Sequence, residues 1–156
     1  MKTTPFLDEM AKNGTILTNS YATHRCSPSR AGLLTGRYPF RYGLGSEAID
    51  YMSPTGLDPK EKLLPQYFKD GGYSTHMVGK WHLGFCKDSY KPSNRGFDTT
   101  FGLYGGQIEY FHHTVGPFKM LDYFRNDEPV FGKSYCGKDF TDEAIDIAKV
   151  DIFVDM

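Results

Sequence analysis

Prolines and glycines divide the first half of this chain into short helices and extended segments. A proline near the start and a glycine after the end mark three candidate helices, at residues 4–14, 27–36 and 64–72. Segments typical of strands follow the first and the third of these, at 15–22 (TILTNSYA) and 73–79 (YSTHMVG). Helices and strands joined by glycine-rich turns are typical of layered sheet proteins. The sequence therefore predicts an α/β fold.

Two ranges of the chain are richer in loops than the rest. Residues 38–62 and 87–138 carry frequent glycine or proline, and both ranges are predicted to consist mainly of loops. A last helix is predicted over 140–150 (FTDEAIDIAKV), with Thr141 as its N-cap and acidic residues in its first turn.

The end of the chain predicts an incomplete fold. The apolar run that begins at Val150 (VDIFVD) is typical of the start of a strand, and the sequence ends within it. We therefore expect residues 1–149 to form a partial domain and residues 150–156 to be a divergent or truncated tail.

The overall composition argues against two classes of partner. The chain of 156 residues is 39% hydrophobic and 24% charged, which is ordinary for a globular domain. Its net charge of −1 provides no basic surface for nucleic acid. No apolar run approaches the ~20 residues of a membrane span, and the first residues lack the apolar region of a signal peptide. We expect neither nucleic-acid binding nor a membrane span.

The chain contains three cysteines: Cys26, Cys86 and Cys136. Because their number is odd, at least one thiol has no partner within the chain. None of them belongs to a CxxC pair, which makes a zinc knuckle improbable. Cys86 and Cys136 are either paired with each other or two ordinary thiols, whereas Cys26 has more unusual surroundings.

Cys26 lies directly before a predicted helix that Ser27 would cap and in which Pro28 would be the first residue. Unpaired N–H groups and the helix dipole favour an anion at such a position and lower the pKa of a thiol. Arg30 lies one helical turn further on and can reach the same point. The stretch therefore predicts an oxyanion site, with a half-buried thiol beside a surface arginine as the alternative. A tyrosine-phosphatase loop is excluded, because its arginine would have to stand at Gly32.

A second candidate group follows the predicted strand at 73–79. Lys80 and His82 are two residues apart, so their side chains would point the same way from an extended segment. Ligand sites of layered α/β folds gather at such strand ends. Lysine supplies a point charge for an anion, and histidine can transfer a proton near neutral pH. The alternative is a surface lysine beside Trp81, which we expect to be a packing residue.

The remaining histidines are weaker candidates. His24 lies two residues before Cys26 and is a candidate for the lining of the same cleft. His76 alternates onto a strand face, where a packed core residue is expected. The pair of His112 and His113 resembles a metal site, but no carboxylate-rich ligand set accompanies it.

Two long stretches resemble the signatures of the sulfatase family. Residues 26–37 (CSPSRAGLLTGR) contain the core Cys-X-Pro-X-Arg followed by Leu-Thr-Gly-Arg, and residues 72–84 (GYSTHMVGKWHLG) resemble the second signature. Residues 62–85 together with 94–106 (NRGFDTTFGLYGG) are most similar to the arylsulfatase B, or N-acetylgalactosamine-4-sulfatase-like, branch. The resemblance extends over residues 5–148.

This resemblance implies a fold, an activity and a compartment. The implied fold is a partial alkaline-phosphatase-like layered α/β domain, the N-terminal part of a sulfatase catalytic domain. The implied activity is hydrolysis of sulfuric esters, with an aryl sulfate or a sulfated carbohydrate as substrate. The family implies a lysosomal, secretory or extracellular location.

The resemblance also implies roles for four residues. A formylglycine-generating enzyme would oxidise Cys26 to formylglycine, whose hydrate attacks sulfur with one hydroxyl and expels sulfate when the other loses its proton. Arg30 would stabilise the hydrate. His82 would bind the hydrate or transfer a proton, and Lys80 would hold a sulfate oxygen.

Calcium is the other cofactor that the resemblance implies. The residue derived from Cys26 would be one metal ligand, and carboxylate and carboxamide side chains would supply the rest. The acidic pairs that provide these ligands in the family have no counterpart in this chain, so we expect the isolated chain to be inactive. The alternative function is a non-enzymatic fragment that binds a sulfated glycan or the modifying enzyme.

Overall fold

Helices and short strands alternate in the structure, a computed structural model that describes residues 3–45 and 47–153, with side chains described as far as residue 150. The helices are α1 (Pro5–Asn13), α2 (Cys26–Thr35), α3 (Leu64–Asp70) and α4 (Cys136–Phe153). The strands are β1 (His76–Lys80), β2 (Thr99–Leu103), β3 (Thr114–Val115), β4 (Met120–Leu121), β5 (Phe124–Arg125) and β6 (Glu128–Pro129). Single 3₁₀ turns occur at Pro39–Tyr42, Asp88–Tyr90 and Pro92–Asn94.

The sheet at the centre of the fold is mixed. Its strand order is β1-β2-β5-β6, with β1 and β2 parallel and the other neighbours antiparallel. In the register, His76 lies opposite Thr99 and Lys80 lies opposite Leu103, so β1 and β2 end at the same edge. Strands β3 and β4 form a separate antiparallel pair. The predicted layered α/β fold is confirmed.

Helices and loops cover both faces of β1 and β2. Val78 and Phe101 are paired in the register and face α4, where the ring of Phe140 lies 5.8 Å from that of Phe101. Met77 faces the other side, because successive strand residues alternate. On that side it joins the main buried cluster, which consists of Ala31, Leu57, Leu63, Met77, Trp81, Leu83 and Tyr104.

Proline and glycine mark helix ends as predicted. The three helices expected in the first half of the chain are present as α1, α2 and α3. Gly36 ends α2 with φ 66°, a left-handed conformation that suits glycine, and its N–H bonds to the carbonyl of Gly32. The predicted cap of α2 is wrong, because the helix begins at Cys26 and Arg25 occupies the N-cap position. The Ser27 hydroxyl instead accepts a hydrogen bond from the amide of Ile49.

Two strand predictions are wrong. Residues 15–22 form no strand, and apolar side chains there, such as Ile16 and Tyr21, are exposed. The apolar run from Val150 continues α4 as far as Phe153, while residues 154–156 lie outside the described part of the chain. Residues with strand propensity form a strand only where a neighbouring strand can pair with them. Among the described residues, no strand pairs with either segment.

The start of α4 also differs from the prediction. The helix begins at Cys136, so Thr141 is an interior residue whose hydroxyl donates to the carbonyl of Gly137. The helix continues past residue 149 without a break. Strand β2 lies within the range predicted to be rich in loops, because its sequence gives little sign of the parallel partner that orders it.

Candidate active site

Cys26 is the first residue of α2 and carries a half-buried free thiol. No side chain caps this helix, so its first-turn N–H groups keep their donor capacity. Pro28, buried in the same turn, has no N–H to leave unpaired. The thiol therefore lies at the positive end of a helix dipole.

Arg30 joins α2 to the end of β1. Its Nη1 donates a hydrogen bond of 2.6 Å to the backbone carbonyl of Lys80. Burial lowers the pKa of the Arg30 guanidinium, and the charge of Cys26 opposes that shift. Arg30 therefore links the Cys26 and Lys80 segments.

His82 lies just beyond the end of β1, where the chain changes direction. Its φ of 60° is left-handed, so the chain is not extended at His82. The prediction that the side chains of Lys80 and His82 point the same way assumed an extended chain and therefore loses its basis. The His82 amide bonds to the carbonyl of Tyr104 at 3.1 Å, and Nε2 lies 2.8 Å from the carbonyl oxygen of Ile49. A Cβ atom at position 106 would lie 2.7 Å from the His82 ring. Because Gly106 has no side chain, there is room for the imidazole beside it.

The electrostatics keep His82 neutral. Burial lowers the pKa of His82, and the charges of Lys80 and Arg30 lower it further, while the bond to Ile49 opposes these effects. At neutral pH the ring is therefore an uncharged imidazole that can accept a proton.

The structure thus brings the predicted residues together from two elements. Cys26 and Arg30 come from α2, and Lys80 and His82 come from the end of β1. Within the described residues, no carboxylate forms an ion pair with Arg30, Lys80 or His82. Three basic side chains without an acidic partner suit an anion.

A cavity of about 640 Å³ lies at the carboxyl ends of β1 and β2. Its lining includes Lys80, Leu103 and Gly106, together with residues of the 107–119 segment and of α4. Ligands of α/β sheets bind at such edges. The cavity therefore adjoins the group of basic side chains.

Some contributing residues had no signal in the sequence. Asp122 is fully buried, and its carboxylate accepts hydrogen bonds of 2.8 Å from the amides of Tyr104 and Gly105. These two bonds hold the turn beside His82. Burial raises the pKa of Asp122, and the two amide bonds oppose that shift. Neither Asp122 nor Ile49 stands in a motif, because each acts through contacts distant in the chain.

The remaining histidines and cysteines are exposed or make contacts of their own. His24 is exposed, and His76 is half-buried with Nδ1 2.7 Å from the Thr99 hydroxyl, less buried than the core residue we predicted. His112 pairs with Glu109 at 2.9 Å, and His113 stacks on Tyr123 at 3.9 Å. The two alternatives for Cys86 and Cys136 resolve to free thiols, one exposed and one buried.

The described residues do not provide a calcium site. They contain no group of three or more His, Cys, Asp or Glu side chains able to hold a metal ion. Cys26 thus has no companion ligands here, whereas calcium requires six to eight oxygens.

No helix in the described part of the chain is long and apolar enough to cross a membrane.

Comparison with known proteins identifies relatives of the chain. The family model named Sulfatase matches residues 1–151. Arylsulfatase J of Mus musculus is 46% identical over 110 residues, which are 70% of this chain and 18% of the mouse protein. N-acetylgalactosamine-6-sulfatase of Sus scrofa is 34% identical over 164 residues, covering 94% of this chain and 31% of the pig protein.

Solved structures of other proteins also resemble the fold of this chain. The crystal structure of Ps i-CgsB matches with a TM-score of 0.86 and 28% identity, over 96% of this chain and 36% of that protein. A second structure of Ps i-CgsB, in complex with k-i-k-neocarrahexaose, also has a TM-score of 0.86. The chain therefore spans about a third or less of these proteins, and its α/β fold is the alkaline-phosphatase-like one. Because the Sulfatase model matches almost the whole of this chain, the chain belongs to the sulfatase family.

Proposed function

We propose that this chain carries the nucleophile and the sulfate-binding side chains of a sulfate ester hydrolase. The observation that supports this most directly is the placement of Cys26 at the start of α2, joined through Arg30 to the segment that bears Lys80 and His82. A sulfate ester is an anion whose charge on oxygen grows as the ester bond breaks. Basic side chains fixed around the reacting residue would stabilise that charge.

Each residue has a distinct role in this proposal. Formylglycine formed from Cys26 supplies a hydrate hydroxyl as nucleophile. Arg30 stabilises that hydrate and Lys80 holds a sulfate oxygen, while His82 accepts a proton at its unprotonated ring nitrogen. The neutral state of His82 favoured by burial is the state this role requires.

The proposed substrate is a sulfated sugar. Relatives include an N-acetylgalactosamine-6-sulfatase, and Ps i-CgsB binds the oligosaccharide k-i-k-neocarrahexaose. The cavity beside Lys80 has room for a sugar ring, and Tyr110 and Phe140 in its lining offer apolar ring faces. We propose that the alcohol part of the ester occupies this cavity.

We also propose that the isolated chain does not turn over substrate. The described residues lack the companion ligands for calcium, so the sulfate would be neutralised only in part. The formylglycine-generating enzyme is the proposed partner, and the secretory route or lysosome is the proposed compartment. Residues 1–149 remain our proposed unit of the partial catalytic domain.

Mass spectrometry of Cys26 tests the proposal. The chain is expressed in cells that contain the formylglycine-generating enzyme, directed to the secretory route, and digested to peptides. We expect the Cys26 peptide to lose sulfur and to react with an aldehyde-specific hydrazide, while Cys86 and Cys136 keep their thiols as internal controls. Substituting Arg30→Ala, which breaks the Cys-X-Pro-X-Arg core, should abolish the aldehyde.

An unmodified thiol at Cys26 in cells that modify another sulfatase would contradict the proposed nucleophile. Release of sulfate from a sulfated N-acetylgalactosamine by the purified, modified chain with calcium would contradict the proposed inactivity alone.

A further inference from the structure

Two successive hydrogen bonds connect the residue after Cys26 to the ring of His82. The amide of Ile49 donates to Ser27 Oγ at 3.0 Å, and the carbonyl oxygen of Ile49 lies 2.8 Å from His82 Nε2. Ser27 is 0% exposed and His82 is 7% exposed, so water has little access to either bond. The backbone of Ile49 therefore joins α2 to the segment that follows β1.

The second bond determines which ring nitrogen of His82 carries the proton. A carbonyl oxygen can only accept, so Nε2 donates and the neutral ring keeps its lone pair on Nδ1. Among the described residues, Nδ1 is buried without a hydrogen-bond partner. A buried acceptor without a partner costs free energy, so Nδ1 is the nitrogen that a reacting group can engage.

We propose that Ser27 is a positioning residue that acts through Ile49 to present Nδ1 of His82 to the reacting group on residue 26. The Ser27 hydroxyl holds the backbone of Ile49 through its amide, and the Ile49 carbonyl then fixes the tautomer and the orientation of the ring. The identity of the reacting group rests on the proposed function, whereas the two hydrogen bonds do not. This assigns a role to the residue between the cysteine and the proline of the Cys-X-Pro-X-Arg core.

NMR of the chain labelled with ¹³C and ¹⁵N tests the proposal. An imidazole N–H proton is observed only where a hydrogen bond slows its exchange with water. We expect a His82 N–H resonance assigned to Nε2, with a scalar coupling across the hydrogen bond to the Ile49 carbonyl carbon. In Ser27→Ala, exchange of this proton and of the Ile49 amide should be about tenfold faster, the effect of losing one hydrogen bond.

Two further variants separate positioning from a general loss of structure. Ser29→Ala is the matched control, because Ser29 lies near Ser27 in α2 but its hydroxyl bonds to Thr23 and not to Ile49. Ser27→Thr keeps the hydroxyl and should retain the His82 signal. The indole N–H of Trp81, which bonds to two carbonyls, reports whether each variant is folded.

The proposal is overturned if the unmodified chain carries the His82 proton on Nδ1, or lacks the coupling to Ile49. It is also overturned if folded Ser27→Ala exchanges as slowly as Ser29→Ala, or if folded Ser27→Thr loses the signal. Should Ser27→Ala not fold, the unmodified chain and Ser27→Thr decide the question. None of these readouts needs formylglycine or sulfate release, so a failure of the proposed function would leave them unchanged.

Discussion

Arg95 shows how one buried side chain can organise a loop that has no regular structure. It is 1% exposed, and its guanidinium donates to the carbonyls of Leu57 and Glu61 at 2.9 Å and of Asp58 at 3.3 Å. Burial lowers the pKa of Arg95, which the charges of Asp58 and Glu61 oppose. The planar guanidinium suits several carbonyls at once, which a lysine cannot match. Residues 57–61 are therefore fixed by a residue more than 30 positions away.

Replacing Arg95 should therefore destabilise the fold strongly. We expect Arg95→Met to lower the free energy of unfolding by about 3 kcal/mol, because buried carbonyls lose their donors. Urea unfolding followed by the fluorescence of buried Trp81 measures the change. Arg41→Met is the control, since Arg41 is exposed and contacts only the face of Phe40 among the described contacts. Equal stability of the two variants would contradict the role given to Arg95.

At the scale of elements, the pairing of β1 with β2 places the site. Lys80 ends β1 opposite Leu103, the last residue of β2. The amides of the next two residues, Trp81 and His82, bond to the carbonyls of Leu103 and Tyr104. The strands approach closely because Gly102 faces Gly79. A Cβ at Gly102 would lie 1.8 Å from the Gly79 carbonyl oxygen, and φ there is 155°.

A side chain at position 102 should therefore separate the two strands. We expect Gly102→Ala to lower the free energy of unfolding by about 2 kcal/mol or more, through steric overlap and backbone strain together. Urea unfolding gives the energy, and hydrogen exchange of the Trp81 and His82 amides shows whether the strand ends separate. Gly132→Ala is the matched control, because a Cβ there meets no atom within 4 Å. Unchanged exchange in Gly102→Ala would show that the close approach is unnecessary.

At the scale of the whole molecule, basic side chains gather at one place in a chain whose net charge is −1. Arg30, Lys80 and His82 come together without an acidic partner among the described residues. Under these conditions the neutral form of His82 is favoured. Burial and the neighbouring cations lower its pKa in the folded chain. In the unfolded chain, His82 regains an ordinary pKa of about 6.5.

This difference predicts how stability depends on pH. Below about pH 6.5, and down to the lowered pKa of the folded state, only the unfolded chain binds a proton at His82. The free energy of unfolding should therefore fall as pH falls through this window, and His82 should contribute no slope above it. Urea unfolding at about pH 7.5 and about pH 5.5 measures the loss.

His82→Gln provides the comparison, because it removes the ionisable ring at position 82 and leaves every other histidine in place. The variant should lose less stability between the two pH values than the unmodified chain. An identical loss in both would mean that His82 keeps an ordinary pKa when folded.

Much of the local structure can be predicted from the sequence. Prolines and glycines locate α1, α2 and α3, because they restrict or free the backbone wherever they stand. The spacing of Cys26 and Arg30 places them one helical turn apart for the same local reason. The signature motifs also identify the family, since the residue types that carry its chemistry are contiguous in the chain.

Only the tertiary structure decided how the site is assembled. The left-handed turn at His82, its bond to Ile49 33 residues away, and the Arg30 bond to Lys80 50 residues away all depend on distant segments. The same holds for β2, which β1 orders, and for residues 15–22, which pair with no strand in the described structure and form none. Local sequence sets backbone preferences of about 1 kcal/mol per residue or less, and burial and pairing between distant segments readily outweigh them.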